Sequence, residues 1–214
     1  RETAAAPIAL VVFGADRGLC GGYVSMLMDE IGEFIRTHAR KSTELVMIGQ
    51  LTARRARRAG RRVVHEFAQP LTRDRLAFLD DLSNQLTSEY LSGRFGEVHL
   101  LYTEYISGLR QTPIVNKLLP FSLSARPDAG MGLLSFEPDP KTILERLMPE
   151  FIRLSIEQSF RSSMASESFA RQAAMARASE NAGELIDDLK QDYSRLRQEN
   201  ITNEMLEIAA GTLT

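Results

Sequence analysis

A glycine-rich stretch, Gly14-Ala-Asp-Arg-Gly-Leu-Cys-Gly-Gly22, follows an apolar run and precedes a helical pattern, which is where phosphate-binding loops sit. It carries no lysine or hydroxyl residue where G-x-x-x-x-G-K-[ST] requires them, and it fails G-x-G-x-x-G as well. A tight strand-to-helix turn, with glycines supplying unusual backbone angles and close packing, accounts for it better. Cys20 lies inside this stretch, where the dipole of a following helix lowers a thiol's pKa and favours a nucleophile. His38, His65 and His99 are the histidine bases available, and none forms a local signature with it, so a buried structural thiol is the simpler reading. Arg54, Arg55, Arg57, Arg58, Arg61 and Arg62 form a compact basic patch. Such a patch suits nucleic acid, anionic lipid or an acidic protein surface, and equally a solvated helix end. The carboxylate neighbours Asp80 with Asp81 and Asp187 with Asp188 fall on helical patterns and point in different directions. With Glu204 and Glu207 they read as solvated faces, and no metal-ligand spacing appears. Direct enzymatic chemistry has little support.

The frame around these residues is ordinary. A length of 214 residues allows one domain plus an extension, or two small domains. Hydrophobic content of 43% and charged content of 25% are those of a soluble globular protein. The formal net charge of −2, with few aromatic residues near the arginines, argues against nucleic acid as a partner. No apolar run reaches the roughly 18–20 residues of a membrane span, so an integral membrane protein is not expected. The apolar run at 8–13 is too short for a signal peptide and lacks a basic leader, while Arg1 in place of methionine suggests a lost or omitted N-terminus. One cysteine excludes an internal disulfide framework and fits a reducing compartment.

The elements that must position these residues alternate. Residues 8–13 read as a buried parallel strand, followed by a helix to about 38 with Leu27, Ile31, Phe34 and Ile35 on one face. Strand 44–48, an arginine-rich helix to about 59 and strand 63–67 come next. Thr72 is expected to N-cap a helix to about 92 that buries Leu76, Leu79, Leu82, Leu86 and Tyr90. Extended segments follow at 98–106 and 114–124, then a loop at 125–133 and a short strand at 134–136. This order predicts an α/β fold with a mainly parallel, Rossmann-like sheet over 1–138. Asp139-Pro140 then opens one very long helix over 139–214, on the order of 100 Å of rise. Pro149 is expected to kink or briefly break it. Phe151, Leu154, Phe160 and Met164 suit packing on the sheet domain, and beyond Ala165 the interior residues turn small, which permits close helix–helix approach. Ala178, Ala182, Leu185, Leu189, Tyr193 and Leu196, three and four apart, form a coiled-coil seam without a partner in this sequence.

Four motifs carry a family resemblance across the whole chain. Ser166-Glu167, Arg171, Met175 and Ala178-Ser-Glu-Asn-Ala-Gly-Glu-Leu, with the tail Tyr193-Ser-Arg-Leu-Arg-Gln-Glu-Asn-Ile-Thr-Asn-Glu-Met-Leu-Glu-Ile208, resemble the C-terminal signature of the F-type ATP synthase gamma subunit. Asp16-Arg-Gly-Leu-Cys-Gly-Gly22 resembles its other hallmark, and Phe136-Glu137-Pro138-Asp139 its entry to the C-terminal helix. The resemblance implies a non-catalytic central shaft, without cofactor, that couples ion-driven rotation to ATP synthesis or hydrolysis on a ring of alpha and beta subunits. It implies an α/β foot against the epsilon subunit and the membrane rotor ring, on the cytoplasmic face of a bacterial or archaeal membrane. It also implies that the long helix is half of an antiparallel coiled coil whose other half, an N-terminal gamma helix, is absent from this sequence. Arg197, Gln198 and Thr202 match positions that contact the beta subunits, and Glu137 matches the foot. Tyr23-Val24 departs from the family's small or aliphatic residue and asparagine, and an Asn-Lys-like pair is absent near Thr103-Glu104-Tyr105, which points to a divergent, alternative-type branch. The reading kept beside this one is a small α/β nucleotide-binding or enzymatic domain with a helical dimerisation arm, and a basic-patch adaptor is a third.

Overall fold

In the computed structural model the described residues are 6–107, 110–121 and 140–211. Strand β1 (Ile8–Phe13) alternates its side chains between two cores, as the period of a strand between two helical layers dictates. Ala9, Val11 and Phe13 enter one core, and Ile8, Leu10 and Val12 enter the other. Helix α1 (Tyr23–Thr37), strand β2 (Thr43–Ile48), helix α2 (Gln50–Arg58) and strand β3 (Val63–Phe67) follow. Helix α3 (Arg75–Leu91), strand β4 (Glu97–Ser107), strand β5 (Arg110–Leu119) and helix α4 (Pro140–Gly211) complete the order. The sheet order is β3-β2-β1-β4-β5, parallel except for β5, which runs antiparallel to β4. Helices α1 and α2 cover one face through Leu27, Ile31, Phe34, Ala53 and Ala56. Helix α3 and the first part of α4 cover the other through Leu79, Leu82, Leu86, Ile152, Ile156 and Phe160. The mainly parallel α/β sheet with a long C-terminal helix is therefore as expected. The loop at 125–133, the short strand at 134–136, Glu137 and the Asp139 cap lie outside the described residues.

Four local expectations are corrected. Thr72 opens a 3-10 turn (Thr72–Asp74) instead of capping α3, whose N-cap position is Asp74 without a capping side-chain bond. The backbone of Asp74 is not extended (ψ 0°), and its carboxylate meets Arg73 Nε at 3.3 Å instead. Leu76, in that tight first turn, is 58% exposed. On α4 the docked face is Ile152, Ile156, Ser159, Phe160, Ser163, Ser166 and Glu167, while Phe151 and Leu154 stay 43% and 50% exposed. A 3.6-residue period fixes that face, and serines belong to it because they meet strand-end backbone that leucines could not satisfy. The helix continues through Pro149 without interruption.

By contacts the chain divides into two compact units, Arg1–Arg171 and Gln172–Thr214. In the second, each residue from 175 to 208 is exposed, with Leu185, Leu189, Tyr193 and Leu196 about three-fifths exposed or more (62%, 60%, 68% and 59%). No described helix is long and apolar enough to cross a membrane.

At the N-terminal end of β4, Glu97 accepts from Lys41 at 2.6 Å and contacts His99 at 3.0 Å and Lys117 at 3.2 Å. The bond from Lys41, then His99, holds the Glu97 carboxyl down at about 2. Burial holds the His99 imidazole below its ordinary 6.5. Both folded-state values are depressed, so the unfolded chain binds more protons below pH 6.5 and stability falls as pH falls. The expected result is a midpoint in urea that drops in two stages. The first, from His99, begins below pH 6.5, and the second, from Glu97, runs from about 4.5 to about 2. Glu97→Gln flattens the second stage, and an unchanged acid limb in that variant would contradict the assignment.

Candidate functional site

The crevice beyond the carboxyl ends of β1 and β4 is where a doubly wound sheet binds its ligands, because the strand order reverses there. Here α4 fills it. Ser163 Oγ accepts from the Thr103 amide at 3.0 Å and donates to the Phe13 carbonyl at 3.2 Å, so one hydroxyl joins β1 and β4 where their pairing stops. Ser162 and Ser166 donate to the Thr103 carbonyl at 3.0 and 3.1 Å, and Gln111 donates to the Ser166 carbonyl at 2.8 Å. The Tyr23 hydroxyl shares its proton between the carbonyls of Phe13 (3.4 Å) and Ser163 (3.3 Å), and burial pushes this phenol up to about 12. The unusual Tyr23 thus binds the helix directly. Phe160 meets Phe13 edge-on at 6.3 Å beneath this polar row.

One turn further, Glu167 is 4% exposed and accepts from the Gln69 amide at 2.6 Å and from Arg171 Nη2 at 2.6 Å. Gln69 also donates to the Gly14 carbonyl at 2.8 Å, and its backbone amide donates to Asp16 Oδ2 at 3.0 Å. Asp16 Oδ1 accepts from the Gln50 amide at 2.8 Å, at the start of α2. Arg171 closes the circuit on the carbonyls of Arg17 and Gly18, both at 3.4 Å. The glycine-rich loop is held as a turn. Gly49 sits at φ +124° with its missing Cβ facing Gly14 C at 2.6 Å, and Gly21 has φ +57°. Its inner polar groups are spent on α2, Gln69 and α4.

The other residues singled out in the sequence do not converge. Cys20 is buried, and burial followed by the Glu167 charge raises its thiol, the reverse of an activated nucleophile. His38 stacks on Phe34 at 4.1 Å, His65 approaches Glu89 at 3.0 Å, and His99 belongs to the Glu97 cluster. Asp80, Asp81, Asp187, Asp188, Glu204 and Glu207 are exposed. Among the arginines, Arg57 pairs with Glu66 and Arg62 with Glu44 at 3.0 Å. In the second unit Thr202 Oγ1 donates to the Gln198 carbonyl at 2.8 Å, and among the described residues no side-chain bond engages Arg197 or Gln198. At about 100° per residue, Gln198 and Thr202 fall on the face away from the Ala178–Leu196 seam and Arg197 on its flank. Sequence reasoning missed Tyr23, Gln69, Thr103 and Ser163. The available signal was the spacing of Ser159, Ser163 and Ser166 on the stripe of Ile152, Ile156 and Phe160.

A family model described as ATP synthase matches residues 1–213. The ATP synthase gamma chain of Moorella thermoacetica is 36% identical over 201 residues, 94% of this chain and 71% of that protein. The ATP synthase gamma chain of Frankia casuarinae is 35% identical over 217 residues, covering 97% and 73% respectively. Among solved structures, a chain of the Euglena gracilis mitochondrial ATP synthase, OSCP/F1/c-ring, has a TM-score of 0.69 at 14% identity, covering 99% of this chain and 73% of that one. A chain of the Tetrahymena thermophila mitochondrial ATP synthase, central stalk/c-ring, has a TM-score of 0.64 at 18% identity, covering 84% and 79%. These two share the fold.

Removing the buried carboxylate leaves Gln69 with only its bond to the Gly14 carbonyl and strips Arg171 of its ion pair. Glu167→Ala is expected to lower unfolding free energy by about 3 kcal/mol, and Ser163→Ala by about 1–3 kcal/mol. Urea titration followed by tryptophan-free signals such as tyrosine fluorescence reads both. Losses below about 0.5 kcal/mol would mean that the network is peripheral to docking.

Proposed function

The chain belongs to the gamma-subunit family of the ATP synthases, and from that premise we propose that it is a central-stalk rotor subunit that couples ion-driven rotation to ATP synthesis or hydrolysis without catalysing either. The observation that carries this reading is the filled crevice. Ser163 and Glu167 of α4 occupy the sheet end where a nucleotide would otherwise bind, so the fold has given up a ligand site to hold a helix. Beyond Arg171 the same helix carries an exposed apolar seam and, off that seam, Gln198 and Thr202. An α/β foot over 1–138 and a shaft helix over 139–214 follow from this reading. Its partners are the alpha and beta subunits, the rotor ring and the epsilon subunit, with Glu137 on the foot side. The seam's partner is the N-terminal helix of the gamma chain, since the relatives extend beyond the matched part. The setting is membrane-peripheral, on the cytoplasmic face of a bacterial or archaeal energy-transducing membrane. The relatives named above are bacterial.

Arg197, Gln198 and Thr202 are the residues that meet the beta subunits. A guanidinium fork, an amide and a hydroxyl exchange hydrogen bonds with successive partners, each weak enough to break at every step. Joint replacement by alanine in the assembled complex is expected to lower turnover roughly tenfold, the equivalent of about 1.4 kcal/mol at the step where those bonds re-form. Titration of the chain with ATP is expected to give no heat of binding. Micromolar binding lost on substitution within 14–22 would overturn the reading in favour of a nucleotide-binding domain.

A further inference from the structure

Helix α2 packs on the sheet with Thr52, Ala53 and Ala56, all fully buried, and with the half-buried Leu51. Arg54, Arg55 and Arg58 are exposed and take no part in that packing. The fold supplies carboxylates for two of the arginines in this stretch, Glu66 for Arg57 and Glu44 for Arg62. Arg54, Arg55 and Arg58 receive none among the described residues. Arg54 donates to the Gln50 carbonyl at 3.3 Å and Arg55 to Ser25 Oγ at 3.4 Å, neither of which neutralises a charge. The helix dipole explains cations in the last turn, but Arg54 lies outside that turn and stands one turn from Arg58, a like-charge spacing that weakens a helix. Locally, then, the row is unfavourable.

We propose that the outer face of α2 docks a narrow acidic segment of another protein subunit, with Arg54, Arg55 and Arg58 receiving its carboxylates. The cationic residues between 50 and 62 are all arginine, the side chain whose planar fork matches carboxylate in two bonds. No aromatic side chain accompanies them in α2, so neither base stacking nor insertion into a lipid interface is served. On helix α1, Asp29, Glu30 and Glu33 line a hollow with Pro113 of β5, Glu33 being paired with Arg36, and Asp29 lies one turn from the Ser25 that Arg55 touches. That acidic row repels a broad polyanion such as a membrane or duplex and leaves room for a slender acidic strand or helix. The partner's being a synthase subunit rests on the function proposed above.

The test places a benzophenone amino acid at position 58 of the full-length gamma chain within the purified complex, followed by irradiation and peptide mapping. One main adduct on a segment rich in aspartate and glutamate is expected, its yield falling at least tenfold with Arg54→Glu and Arg55→Glu together. Presence of the chain in the complex with no protein adduct, or with a lipid adduct, overturns this inference alone. Absence of the unsubstituted chain from the complex overturns the family role and this inference with it.

Discussion

The hydroxyl of Ser163 is the point on which the molecule turns. The pairing of β1 with β4 stops at Val12 and Leu101, and just beyond it the Phe13 carbonyl and the Thr103 amide are met by Ser163. In a ligand-binding α/β domain such groups and the adjoining loop face a bound molecule. Here one serine accepts from one strand and donates to the other, and its own backbone carbonyl is taken by Tyr23. The remaining contacts follow from that placement. Once Ser163 is seated, a 3.6-residue period brings Phe160 over Phe13, Ser166 over Thr103 and Glu167 against Gln69.

This arrangement changes what the glycine-rich loop is for. A loop that leaves a strand and enters a helix invites a phosphate because its amides are unpaired. In this chain the Ala15 amide donates to Thr52 Oγ1 at 2.8 Å, and Asp16 ties the starts of α2 and of the segment after β3 to the loop. Arg171 then takes two of the loop's carbonyls. The groups named here are met from inside the fold, and the buried charge of Glu167 is met by both an amide and a guanidinium, the condition under which such burial is tolerable. The loop serves as a mounting.

The strands were legible because buried parallel strands are short apolar runs with few alternatives, and β1 and β3 fall at the expected residues. Helix α4 was legible from the long absence of glycine and from its proline start. Of the four large groups expected to dock α4, Phe160 and Met164 pack on the core and Phe151 and Leu154 do not. Sequence reasoning did not see that isoleucines and serines complete the docked face, because the surface opposite is partly backbone. Serine carries no sign of burial in a sequence. Likewise Leu76 fits the helical pattern of α3 but is only its second residue, and it stays out of the core. The contacts proposed at Arg197, Gln198 and Thr202 rest on family resemblance, since an exposed Arg, Gln and Thr have no pattern of their own.

A helix that transmits force must be held more firmly at its mounting than at the contacts it makes and breaks. Ser162, Ser163, Ser166, Glu167 and Arg171 form their bonds within three turns and mostly out of water, where each is worth about 0.5–1.5 kcal/mol and those to charged groups about 1.5–3. Phe160 adds the burial of a full aromatic ring at its centre. By contrast, Thr202 keeps its hydroxyl on its own helix, and Arg197 and Gln198 stand in solvent, where a new bond only replaces a bond to water. The difference in burial alone sets the order of failure. If the proposed contacts at Arg197, Gln198 and Thr202 carry load, they release first, while the serine-lined mounting stays closed.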